Sequence, residues 1–293
     1  MLPITAILID HKLSRIVLLK EAVESILNST KLPEEILIIL DIDPIDFEIY
    51  KTEFSRILKT NFSNIKILRN ENQKGPAGAR NYAILNSKNE WLAFLDSDDL
   101  WHPKKLEHQW NFMKKRPFLM ASHSKELWIK QGKMIPTPKR LEPGTGRFLV
   151  EAFRRCLISM SSVLIKKQVF IKLKGFDEKL KAAEDYDFWI RYLIHYPISL
   201  IPNIDNHPPT IKRSGGWKQT SQTKNIDVYR LYSLLKIYSQ YFNILSNFEK
   251  QHLIETIKTK KKIVLKQREK YSFPLEVELL YKEIEPILFS IPL

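Results

Sequence analysis

The first hundred residues alternate short apolar runs with stretches of helical periodicity, and three of the runs break off at an acid. Residues 4–9 read as a buried strand that ends at Asp10. Residues 16–27 carry apolar side chains at 18, 19, 22, 23, 26 and 27, one face of a helix. A second strand at 36–40 stops at Asp41, followed by a helix at 47–58, a strand at 65–68 and a helix at 77–86. Trp91-Leu92-Ala93-Phe94-Leu95 is another apolar run, and it stops at Asp96. Alternation of this kind predicts βαβ units and a mostly parallel α/β sheet flanked by helices. Ligands of such sheets bind beyond the carboxyl ends of the strands. Asp10, Asp41 and Asp96 are therefore expected on one rim.

The pattern changes after residue 100. Residues 103–115 read as a helix, 118–150 as short strands among turns, 160–165 as a strand and 184–195 as a helix. Residues 210–222 read as a polar loop, and 225–241, 248–270 and 277–288 as amphipathic helices. The expected organisation is a domain of residues 1–222 and a helical C-terminal extension of 223–293. No apolar run approaches the roughly 18 residues of a membrane span. The N-terminus has no basic lead-in and reads as a strand rather than a cleaved leader. One cysteine, Cys156, excludes an internal disulfide and fits a reducing compartment. A cytoplasmic protein is expected, with peripheral contact at the inner face of the membrane as an extension of that reading.

The net charge of +14 is unevenly placed: residues 101–175 hold 17 basic and 4 acidic side chains. Such an imbalance attracts anions. Nothing resembles a nucleic-acid reading module, so no nucleic-acid partner is expected. Lys258-Thr259-Lys260-Lys261-Lys262, beside Ile263-Val264-Leu265, could touch acidic lipid or could belong to a helix packed on the domain or on a second subunit, as in a homodimer.

Asp96-Ser97-Asp98-Asp99 crowds three carboxylates into four residues, which repel unless positive charge lies among them. Magnesium and manganese take hard oxygen ligands and usually keep substrate phosphates in their shell. Capping of the following helix is the other reading.

Gly75-Pro76-Ala77-Gly78-Ala79-Arg80-Asn81, then 91–101, then Pro103-Lys104-Lys105-Leu106-Glu107 together resemble family-2 glycosyltransferases of the GT-A fold. The resemblance resumes at Gly175-Phe176-Asp177-Glu178 and runs through Glu184-Asp185-Tyr186-Asp187-Phe188-Trp189-Ile190-Arg191, in all covering about residues 3–222. It implies a GT-A, Rossmann-like sheet and inverting transfer of a sugar from a nucleotide-diphosphate donor, a UDP-sugar by expectation. The acceptor implied is a glycan or a lipid-linked saccharide in cell-surface polysaccharide synthesis. By the same resemblance Ile9, Asp41, Arg80 and Asp96 lie on the nucleotide, Asp98 holds Mn2+ or Mg2+, and Asp185 is the general base. Glu184, Arg213 and Trp217 fall in acceptor or donor loops. Trp217 stands where relatives often carry a metal-site histidine, leaving a water or His207 to complete the shell. That departure motivates the alternative, a protein that keeps the fold and binds a nucleotide or glycan without turnover.

Overall fold

The structure, a computed structural model, describes every residue except 61–62, 72–74, 216–222 and 292–293. The N-terminal part runs β1 (Leu2–Asp10), α1 (Ile16–Leu27), β2 (Pro33–Leu40), α2 (Pro44–Leu58), β3 (Ile65–Arg69), α3 (Gly75–Asn86) and β4 (Trp91–Asp96). Each strand and helix expected from periodicity is present, with ends shifted by up to three residues. β1 pairs in parallel with β2 and β4, and β2 with β3. Ile9 lies opposite both Ile39 and Asp96 in register, so the chain leaves the sheet at one level on three adjacent strands.

The remaining elements are β5 (Leu100–Trp101), α4 (Lys105–Lys114), β6 (Ala121–His123), β7 (Glu126–Lys130), β8 (Lys133–Ile135), α5 (Leu149–Arg154), β9 (Leu164–Lys166), α6 (Lys167–Lys172), α7 (Glu184–His195), β10 (Ser199–Leu200), β11 (Thr210–Ser214), α8 (Ile226–Tyr241), α9 (Asn247–Lys270) and α10 (Leu275–Ser290). The described strands make a seven-stranded sheet in the order β10-β6-β9-β4-β1-β2-β3 and a four-stranded sheet in the order β5-β11-β7-β8. In the large sheet β9 is antiparallel to both of its neighbours, and the remaining pairs are parallel.

Two expectations are corrected. Residues 210–214 are not loop but strand β11, antiparallel to β5 and parallel to β7. Its polar side chains hid it, because only pairing partners distant in sequence hold it extended. Residues 160–165 are not one strand: Met160–Ser162 form a 3-10 turn and only Leu164–Lys166 is extended. The turn frees Ser161 to accept from the Asp96 N–H at 3.1 Å and donate to Asp99 Oδ2 at 2.7 Å.

α3 shows how composition sets distance. Its buried face is Ala77, Gly78, Ala79 and Ala83, so the helix lies close on β1 and β2 and brings Arg80 to the end of β4. Asn81, next along, accepts from the Phe176 N–H at 2.8 Å and donates to the Phe176 carbonyl at 2.9 Å. A Cβ at Gly175 would sit 2.6 Å from Asn81 Oδ1, and Gly175 holds φ of +67°. Only glycine suits both demands.

α7 is buried on nearly every side, packed on α5 and α8, with Phe188 stacked on Phe170 at 4.6 Å. Burial on all faces encloses Asp187, whose carboxylate meets Arg191 Nη2 at 2.7 Å and Lys236 Nζ at 2.6 Å. Lys236 also meets Asp177 at 2.7 Å, so α8 is tied to both the 175–178 segment and α7. The expected boundary at 222 falls within residues that the structure does not describe. Past it, α8, α9 and α10 share a hydrophobic core with α7 and the sheet. Of the lysine run, Lys260 pairs with Asp227 at 2.6 Å and buried Lys261 donates to the Leu288 carbonyl at 2.9 Å, so two of its charges are engaged inside the fold. Among the described residues no helix is long and apolar enough to cross a membrane.

Removing one partner of a buried ion network leaves the others unpaired. Asp187→Ala should therefore cost about 3–5 kcal/mol, read as a lower urea midpoint. A loss below about 1 kcal/mol, the scale of an exposed pair, would mean that the network does not hold α7.

Candidate functional site

A cleft of about 550 Å³ opens where β1, β2 and β4 end and α7 begins. Strand β1 supplies Ile9 and Asp10, the turn after β2 Asp41, β4 and its turn Asp96 and Asp98, and the first turn of α7 Glu184 and Asp185. Arg80 of α3 lies between the strand ends and α7. The acids expected on one rim do share it, and the volume is in the usual range for small-ligand sites.

Each acid has a particular partner. Asp10 accepts from the Tyr50 hydroxyl at 2.8 Å, and burial raises its pKa. Asp41 accepts from Asn70 Nδ2 at 2.7 Å and the Gly75 N–H at 3.0 Å; burial raises it too. Gly75 takes φ of +74° at the start of α3, which aims its N–H at Asp41. Arg80 donates from one nitrogen to Glu184 and from the other to Asp96 at 3.0 Å. Burial pushes Glu184 up to about 7 against the opposing pull of Arg80.

Two side chains of this chain bring positive charge to the crowded aspartates. Arg15 Nη2 lies 3.0 Å from Asp98 Oδ2, and Lys212 Nζ 3.8 Å from Asp99 Oδ2. Asp99 is buried and also accepts from the Arg213 N–H at 2.9 Å; burial raises it to about 7. The Arg213 side chain donates to the Asp98 carbonyl at 2.6 Å and to Glu21. Expected in a loop at the site, Arg213 instead sits on β11 as a brace behind the aspartate turn, and Lys212 is the neighbour that reaches the cleft. Trp217 lies outside the described residues. His207 pairs backbone to backbone with Ile204 and does not line the cleft.

Asp96 and Asp98 are the carboxylates that could hold a divalent ion. Among the described residues no group of three His, Cys, Asp or Glu side chains could hold one alone. Two carboxylates fit a magnesium- or manganese-type ion whose shell is completed by phosphate and water. Such an ion would share Asp98 with Arg15 or displace it.

Asp185 accepts from the Tyr186 N–H at 2.7 Å, and its other oxygen receives the Cys156 thiol at 3.5 Å. Burial and the Asp185 charge push that thiol up, so it stays protonated. Sequence reasoning missed Arg15, Lys212, Lys181 and Arg230 on the cleft wall. A single arginine or lysine carries no spacing signal, and Arg230 reaches the cleft only because α8 docks on α7.

Residues 15–145 match the family described as glycosyl transferase family 2, and 148–260 match glycosyltransferase like family 2. An uncharacterized glycosyltransferase of Methanocaldococcus jannaschii is 30% identical over 208 residues, 67% of this chain and 70% of that protein. An uncharacterized glycosyltransferase of Rickettsia felis is 32% identical over 198 residues, and the match spans only 31% of its length. The Escherichia coli UDP-Glc:alpha-D-GlcNAc-diphosphoundecaprenol beta-1,3-glucosyltransferase WfgD is 31% identical over 183 residues, 61% of this chain and 66% of that protein. The structure of S. aureus TarS residues 1–349 in complex with UDP-GlcNAc superposes with a TM-score of 0.69 at 17% identity, over 99% of this chain and 81% of that one.

The buried carboxyl of Glu184 has a consequence for stability. Its folded-state pKa of about 7 lies above the 4.5 of an ordinary glutamate. Between those values the folded protein binds the extra proton, so this group's contribution falls as pH rises. Urea unfolding at pH 5 and pH 8 should show a steeper loss for the native chain than for Glu184→Gln. Parallel losses would mean that Arg80 keeps Glu184 ionised throughout.

Proposed function

The chain belongs to glycosyltransferase family 2, and from that premise we propose that it is an inverting enzyme, moving a sugar from a nucleotide-diphosphate donor to a hydroxyl of a glycan or lipid-linked acceptor during cell-surface glycan assembly. The observation that carries this reading is the convergence of the strand-end acids, Arg80 and the first turn of α7 on one cleft. The WfgD relative is named for a UDP-Glc donor and the TarS neighbour holds UDP-GlcNAc, which together support a UDP-sugar as donor.

Asp41, Arg80 and Asp96, with Ile9 beside them, form the nucleotide side. Asp41 is held by Asn70 and Gly75, so its carboxylate is fixed before any ligand arrives, which favours binding by preorganisation. Asp98, two residues after Asp96, would hold the divalent cation, Mn2+ or Mg2+. When bound, such an ion supplies neutralising charge to the departing diphosphate.

Asp185 is the general base in this reading. As the acceptor oxygen bonds to the anomeric carbon, Asp185 takes the hydroxyl proton, and the bond to the donor diphosphate breaks on the opposite face. One displacement inverts the configuration. Glu184 cannot share the task while it is held by Arg80. By accepting its hydrogen bonds, Glu184 and Asp96 keep Arg80 in place between the two sides of the cleft.

Calorimetric titration with UDP tests the donor side. Binding should need manganese or magnesium, and Asp98→Ala should weaken it about tenfold or more, the loss of a charge-assisted contact. Equal binding after chelation would remove the ion from Asp98, and failure of UDP, GDP and dTDP alike would overturn the donor site. Asp185→Asn should keep nucleotide affinity and lower transfer by about 10²–10⁴-fold, the range for a general base. Undiminished transfer would reassign the base.

A further inference from the structure

Arg230 has no work inside the fold that accounts for its position. It projects from α8 into the same cleft as Asp185, Tyr186 and Cys156. The nearest carboxylate paired with it is Asp227, at 3.9 Å, and Lys260 already holds that oxygen at 2.6 Å. Its Nε is buried without a hydrogen-bond partner among the described residues. The guanidinium lies 6.0 Å from the centre of the Tyr186 ring, the residue directly after Asp185. The side chain is 26% exposed and lines the cleft, so a ligand there can supply the guanidinium with an acceptor.

The positive charge continues beyond Arg230. The Tyr186 hydroxyl donates to the Phe153 carbonyl, which fixes the end of α5 against the start of α7. Arg155 follows at that end, beside Cys156 of the cleft wall, and donates to the Arg140 carbonyl at 2.7 Å. Among the described residues neither Arg140, Arg154 nor Arg155 has an acidic partner, and Arg140 and Arg154 are exposed. Guanidinium forks match phosphate oxygens as pairs of parallel hydrogen bonds. A lone carboxylate would satisfy one of them. A diphosphate or a phosphodiester polymer carries charge on successive phosphates and can satisfy several in turn.

We infer that Arg230 binds a phosphate group of the acceptor, so that the acceptor of this enzyme is a phosphate-bearing saccharide whose reactive hydroxyl is set against Asp185 by that contact. The inference rests on the transfer reading above and names the acceptor class for the same cleft. Arg230 is a specificity-determining residue in this account. It touches the acceptor away from the reacting atoms, and Arg155 and Arg140 extend the cationic track outward.

The test is direct binding to the full chain with and without saturating UDP. Four probes serve: a short-chain alkyl diphosphate of N-acetylglucosamine, oligo(glycerol phosphate), the neutral alkyl N-acetylglucosaminide and the alkyl glucuronide. At least one phosphate-bearing probe should bind about tenfold or more tightly than both phosphate-free probes, the worth of one charge-assisted contact. Arg230→Gln should remove that advantage, Arg230→Lys should keep part of it, and UDP affinity should stay unchanged in both. Preference for the diphosphate probe assigns the phosphate to a lipid-type linkage, and preference for the oligomer assigns it to a phosphodiester polymer. Equal binding of all probes, a preference for the glucuronide, no binding of either phosphate probe, or an advantage that survives Arg230→Gln would overturn the inference. If UDP fails to bind while the Arg230-dependent advantage remains, the donor reading falls and the phosphate site stands.

Discussion

The guanidinium of Arg80 joins the two halves of the cleft. One nitrogen holds Asp96 at the end of β4 and another holds Glu184 at the start of α7, across 104 residues of chain. Ion pairs this deeply buried add little net stability, because desolvation offsets their attraction. What they supply is position. With Glu184 fixed, its neighbour Asp185 is held on the cleft wall. The small face of α3 is the precondition, since larger side chains at Ala77, Ala79 or Ala83 would lift Arg80 away from the strand ends.

The N-terminal half was legible because its signals are local. Apolar runs at strand spacing, helical faces and acids at strand ends all lie within windows of ten or fifteen residues. They gave β1 to β4, α1 to α3, and the shared rim of Asp10, Asp41 and Asp96. The later half hid what depends on partners distant in sequence. β11 is strand only because β5 and β7 flank it, and Thr210–Ser214 alone looks like loop. Ser161 sits in a 3-10 turn because two carboxylate-turn groups need it, which no periodicity records. Arg15 against Asp98 was equally invisible. The crowding of the aspartates announced a need for positive charge, but not that Arg15 would be near.

The aspartate turn is held from behind as well as faced from the front. Asp99 is buried beneath the turn and takes the Ser161 hydroxyl and the Arg213 N–H, while the Arg213 side chain takes the Asp98 carbonyl. These contacts fix the backbone of residues 96–99. Asp96 and Asp98 are then free to exchange partners at their carboxylates without moving the turn. Arg15 at Asp98 is a partner of that exchangeable kind: its side chain is 13% exposed, and it lies on the wall of the cleft rather than in the core.

The helical extension takes part in the same logic. Lys236 bridges Asp177 and Asp187, so those acids dock α8. Docking in turn sets the pitch of α8 against α7. The face that carries Lys236 turns inward, and Arg230, six residues earlier, reaches the cleft beside Tyr186. A displacement of α8 would therefore leave the strand-end acids and Arg80 where they are while moving Arg230. The strand-end acids are thus placed by local strand and turn geometry, and Arg230 by long-range ion pairing. Substitutions in the extension should accordingly move Arg230 before they disturb the strand-end acids.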